Sequence, residues 1–94
     1  MTLTVRNDPQ NARYVLLDDG EQIGMAEYEL DDDTIDFIHT EVDRARREKG
    51  MASRLVHDAL DDVRENSERR VVASCPYVTR WLTQHPEYRD LLDR

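Results

Sequence analysis

Arg44, Arg46, Arg47 and Lys49 crowd the six positions before Gly50, and an apolar periodicity of helical spacing starts directly afterwards at Met51. The partial positive charge at a helix N-terminus disfavours bases by about 0.3 to 1 kcal/mol each, so this placement opposes the local electrostatic preference. A bound anion removes the conflict. First-turn N–H groups lack intrahelical acceptors and a glycine lets backbone approach a ligand closely, so this joint has the makings of a phosphate cradle. The same bases serve equally as a solvated counterweight to an acidic surface, because surface charge clusters commonly hold no ligand.

Two other residues carry reactive groups. His39, with an ordinary pKa near 6.5, is suited to accepting a proton, directly or through water. Cys75 precedes Pro76, which stands where a first helical residue would, and a helix dipole there would stabilise a thiolate. Both lie near the C-terminal end of a strand beside the long helix, the end at which open α/β crossovers bind ligands, so they are expected to converge there. Glu41 shares the His39 face and is a second candidate base. Packing explains these residues as well: His39 alternates with Ile35 and Phe37, and a lone cysteine beside a strand commonly acts as a small buried hydrophobe. His57 reads as solvated on the polar helix face, His85 as a fixer of chain direction before Pro86, and Trp81 and Tyr88 as core or lid. His39, Cys75 and His85 lack ligand spacing, so no metal site is expected.

The elements that must position these groups follow from turn signals and periodicity. Leu3, Thr4 and Val5 read as a short strand ended by Asn7, Asp8 and Pro9. Residues 14–18 and 21–29 flank Asp19 and Gly20, a two-residue loop of the type I′ hairpin kind. Residues 31–33 supply a second turn, and 34–42 a strand rich in β-branched and aromatic residues. Met51, Ala52, Leu55, Val56, Ala59, Leu60 and Val63 then form one face of an amphipathic helix of about four turns. A strand at 70–74, a short helix from Pro76 to about His85 and a last helical turn around Tyr88, Leu91 and Leu92 complete the chain. The fold class is α+β: antiparallel strands, then a strand-helix-strand crossover and a C-terminal helix.

The chain has 94 residues, so 1–94 is expected to form a single domain. Its longest aliphatic and aromatic run, residues 14–17, is far shorter than the ~20 residues that span a bilayer, and its start has no signal-peptide pattern. One cysteine cannot form an internal disulfide, and a cytoplasmic location is expected. The net charge of −8 argues against nucleic acid and anionic lipid as partners. Charge is unevenly spread: residues 1–43 hold twelve acids and two bases, whereas residues 44–54 hold five bases and one acid.

Arg47-Glu48-Lys49-Gly50-Met51-Ala52 resembles the Arg/Gln-x-x-Gly-x-Gly/Ala signature with which the GNAT superfamily of N-acetyltransferases holds the coenzyme A pyrophosphate. With Phe37-Ile38-His39-Thr40-Glu41-Val42 before it, Ser53-Arg54-Leu55-Val56 after it, and Cys75-Pro76-Tyr77-Val78 and His85-Pro86-Glu87-Tyr88 further on, the chain resembles the short single-domain GNAT-like proteins over nearly its whole length. The element order is the one a minimal GNAT-like fold requires. Glu48 departs from the pattern, standing where such proteins often have glycine. The resemblance implies acetyl-CoA as co-substrate, backbone hydrogen bonds from Val42 to pantetheine, and Arg47, Lys49, Gly50, Met51, Ala52 and Ser53 around the pyrophosphate. It implies His39, Cys75 and Glu41 at the acetyl group, and transfer to a small-molecule amine, a protein lysine or an N-terminus. The acidic surface, above all residues 31–33, suits a cationic acceptor. The alternative is a module that binds CoA or a partner protein without turnover, since larger GNAT enzymes build acceptor sites from N-terminal helices that have no counterpart here.

Overall fold

A computed structural model describes residues 2–46 and 50–94 of the chain. Four strands, β1 (Leu3–Asp8), β2 (Arg13–Asp18), β3 (Glu21–Leu30) and β4 (Thr34–Val42), pair in sequence order as an antiparallel meander. Helix α1 (Met51–Asn66) then crosses over to β5 (Arg70–Ala73), which lies parallel to β4, and helix α2 (Pro76–Gln84) follows. Short 3-10 segments occupy Pro9–Asn11, Arg44–Arg46 and Pro86–Leu92.

The β2–β3 hairpin has Asp19 at φ 50° and Gly20 at φ 90°, the two positive values a type I′ turn requires. The first strand is longer than turn propensity suggests. Asn7 and Asp8 remain in it because they pair with Tyr14 and Arg13, and sheet pairing overrides their local preference for a turn. The fifth strand ends one residue early, at Ala73, and the final apolar turn is a 3-10 segment rather than α-helix.

One hydrophobic core joins the sheet to both helices. Met51, Leu55, Val56, Ala59, Leu60 and Val63 of α1 are all buried, and Ala52 packs partly against the same core. Tyr14, Tyr28 and Phe37 meet them from the sheet, with ring centroids 5.6 to 6.2 Å apart. Each tyrosine hydroxyl has a partner: Tyr14 donates to Asp62 Oδ2 at 2.6 Å and Tyr28 to Asn7 Oδ1 at 2.7 Å. Val78, Trp81 and Leu82 of α2, with Tyr88 and Leu91 beyond it, close the core over β5.

Candidate functional site

The β4 strand changes face part-way along. Tyr28 pairs with Phe37 and Glu27 with His39, so Ile38 is an extra residue on β4, a β-bulge. A single extra residue reverses the alternation for everything after it. Ile35 and Phe37 point into the core, but beyond the bulge Thr40 and Val42 take that face, while His39 and Glu41 turn to the other side. This corrects the expectation that His39 alternates with Ile35 and Phe37, and it sets His39 on the face away from Thr40, the neighbour of Cys75. His39 and Glu41 do share a face, with Nε2 and Oε1 3.7 Å apart and both side chains more than half exposed.

The bulge also sets which peptide groups face the edge of the strand. Asp43 N–H donates to Ile23 O at 2.6 Å, so its peptide faces β3, and the alternation of a strand turns the backbone groups of Val42 and Thr40 the other way. On that side β5 has already left. The parallel pairing stops at Phe37 with Ala73, where Ser74 and Cys75 N–H both donate to Phe37 O, at 3.0 and 2.9 Å. Ser74 is held further by Asp36, which accepts from its N–H and its hydroxyl. The chain then turns into α2 while β4 runs on through residues 38–42, and the two strands part in a cleft.

Cys75 closes the base of that cleft. It is buried, sits at the N-cap of α2 with Pro76 as first helical residue, and its thiol donates to Thr40 Oγ1 at 3.6 Å. Thr40 is a site residue that sequence reasoning missed. No local signal marks it, because its orientation depends on the bulge, which only pairing with β3 creates.

After β4 the chain reaches the start of α1. Gly50 is its N-cap in the left-handed region, φ 71° and ψ 26°, and the first intrahelical bond runs from Arg54 N–H to Gly50 O. No side chain caps this end among the described residues, and its first turn holds no acid. The N–H groups of Met51, Ala52 and Ser53 precede that first bond and so have no acceptor within the helix. A Cβ built on Gly50 meets nothing within 4 Å, so the space over the glycine is open. Arg47 and Lys49, expected at the pyrophosphate, lie outside the described residues. Beside the end of β4 a cavity of about 390 Å³ is lined by residues that include Gly24, Glu41, Val42 and Arg44.

The remaining expectations fall elsewhere. A larger cavity, about 860 Å³, lies at the opposite end of the sheet between Tyr28, Asp33, Asp62 and Arg69. Asp32 and Asp33 line it, at the start of β4, eight residues or more before Val42 and on the order of 25 Å away along an extended strand. The acids beside His39 are instead Glu41 and, across the strand pair, Glu27. His57 is more than solvated: Nδ1 lies 2.8 Å from Asp58 Oδ1 and 3.6 Å from Asp61 Oδ2, and its ring stands edge-on to Trp81 and Tyr88. Those three polar groups bring one ligand-type atom each within 4.8 Å of one another, but Arg54 and Tyr88 donate to the other oxygens of Asp58 and Asp61. Burial and the bond to Asp61 push the Tyr88 hydroxyl up to about 12. His85 caps the C-terminus of α2, its ring stacked on Trp81, so its role is indeed to fix the chain's exit.

Comparison with known proteins follows the same lines. The family model described as GCN5-related N-acetyl-transferase matches residues 13–91. No curated protein matches the chain. Among solved structures, the fold is similar to that of a ribosomal-protein-alanine N-acetyltransferase from Brucella melitensis biovar Abortus 2308, with 22% identity and a TM-score of 0.52. That match covers 87% of this chain and 61% of the other, so the chain spans less than two thirds of its structural neighbour. Among the described residues no helix is long and apolar enough to cross a membrane.

Proposed function

Since the chain belongs to the GCN5-related N-acetyl-transferase family, we propose that it is an acetyl-CoA-dependent N-acetyltransferase acting on an amine in the cytoplasm. The observation that carries this reading is that α1, whose start at Gly50 has no side-chain cap among the described residues, follows the strand β4 that runs on past its pairing with β5. These two features suit the two halves of the co-substrate. The N–H groups of Met51, Ala52 and Ser53, with Arg47 and Lys49 before them, hold the pyrophosphate. Backbone groups of Val42 bond the pantetheine arm, which runs along the edge that β5 has vacated. Acetyl-CoA supplies the activated acetyl group, and the chain orients it and manages the proton.

His39 removes that proton. From the open face it draws it from the acceptor ammonium at Nε2, and Glu41, 3.7 Å away, stabilises the imidazolium that results. The freed amine would attack the thioester carbon, forming the C–N bond as the C–S bond breaks, and the second proton of the nitrogen would pass to the departing CoA thiolate. Cys75 is assigned to shaping the pocket, since its thiol is buried and committed to Thr40. Glu27, paired with His39 across the strands, adds negative charge where a cationic acceptor such as a lysine, a polyamine or a protein N-terminus would approach.

Titration of acetyl-CoA followed by backbone amide shifts tests the reading. Saturable shifts at residues 40–43, 50–54 and 75 are expected, with acetyl transfer on a panel of cationic amines. No shift at millimolar ligand refutes it. Binding without transfer to any amine leaves a CoA-binding module. An acetyl adduct on Cys75 in the intact protein mass, together with loss of turnover in Cys75→Ala, replaces direct transfer by a covalent route.

A further inference from the structure

Trp81 is the single tryptophan of the chain and is 97% buried in α2, yet its one polar atom reaches the start of α1. The indole Nε1–H donates to Ser53 Oγ at 2.8 Å. Ser53 is the third residue of α1, inside the turn whose N–H groups precede the first intrahelical bond. Tryptophan is a donor only and serine can accept, so the bond has one direction and does not depend on a choice of tautomer.

The indole is itself held on two sides. His85 stacks on it with centroids 3.7 Å apart and planes 12° from parallel, and His85 Nδ1 lies 2.7 Å from Trp81 O. Tyr88 packs edge-on at 5.2 Å, and its hydroxyl donates to Asp61 of α1. The ring is therefore a fixed post between the two helices, and a neutral hydrogen bond from a fixed donor loses little entropy. One helix carries the pyrophosphate end of the cleft at its N-terminus. The other carries Cys75 at its own N-terminus, six positions before Trp81.

We propose that Trp81 is a positioning residue for the co-substrate: by holding Ser53 it sets the first turn of α1, and so the phosphate-binding N–H groups, in register with the thioester end of the cleft at Cys75. This rests on the CoA reading above and extends it to a residue that touches no part of the ligand.

The test separates register from general stability by using two ligands. Trp81→Phe keeps an aromatic ring and removes the N–H; Ser53→Ala removes the acceptor from a partly exposed position and disturbs no core packing. Each is titrated with CoA and with pantetheine, which lacks the pyrophosphate. Both variants are expected to bind CoA about fivefold more weakly, the worth of one neutral hydrogen bond, with pantetheine affinity unchanged. The double variant is expected to be no worse than either single one. Wild-type CoA affinity in Ser53→Ala, or equal losses for both ligands, overturns the positioning role while leaving the function reading intact. Failure of the wild-type protein to bind CoA overturns the function reading itself, and with it this one.

Discussion

Gly50 offers the sharpest test of the cradle, because its environment separates backbone strain from crowding. Its φ of 71° lies in the left-handed region, and a Cβ there meets no atom within 4 Å. Any cost of substitution is thus conformational. For alanine the left-handed conformation costs about 1 to 2 kcal/mol, and the stiffer unfolded chain returns about 0.4 to 1 kcal/mol. The net destabilisation is about 0.5 to 1 kcal/mol, which for a domain of this size lowers Tm by roughly 2 to 8 °C. Valine, branched at Cβ, is expected to cost about 1 to 2 kcal/mol net. Asparagine tolerates the region and is expected to stay close to wild type. Thermal melts and CoA titration across Gly50→Asn, Gly50→Ala and Gly50→Val should therefore give the same order in both readouts. CoA binding falls most steeply for Val, because an unstrained cap would re-aim the N–H groups of residues 51–53. If Gly50→Val melts and binds like Gly50→Asn, the left-handed cap is not what the ligand requires and the reasoning fails.

Other consequences can be checked in the same preparations. In Gly24→Ala the new methyl would sit 2.9 Å from Glu41 O and 3.2 Å from Val42 Cγ2, and backbone cannot give way cheaply; we expect a loss of about 1 to 3 kcal/mol and faster amide exchange at residues 41–43, and unchanged exchange there would disprove the close approach. Tyr14→Phe removes the hydroxyl that donates to Asp62; urea unfolding should show a loss of about 1 to 3 kcal/mol, whereas wild-type stability would mean the bond contributes nothing net. Asp58 is partly buried, which raises its carboxyl, but hydrogen bonds from Arg54 and His57 outweigh this and hold it below the usual range. A depressed folded value contributes stability above about pH 4 that is lost as pH falls through that value, so Asp58→Asn should flatten the acid limb of the stability profile, and an unaltered limb would exclude the effect. Replacing His39 with Gln should lower turnover by about a hundredfold or more with little change in CoA affinity, and equal turnover would remove it as base.

The hairpin at Asp19 and Gly20, the buried face of α1 and the proline that opens α2 were all legible in the sequence. Each depends on interactions within a few residues: turn geometry, a 3.6-residue period, a ring that fixes φ. The charge reversal before Gly50 and the helix start after it were legible for the same reason, since a helix terminus is a local object. The side of the sheet that His39 and Glu41 occupy was not. Alternation along β4 holds only while its register with β3 is unbroken, and the extra residue at Ile38 is a property of the pair of strands, not of either one. The same slip aims Thr40 at Cys75, 35 residues away in the chain. The bond from Trp81 to Ser53 likewise needed two helices packed at one crossing. Periodicity shows which side chains are buried; only the packed structure determines which polar atom each buried side chain meets.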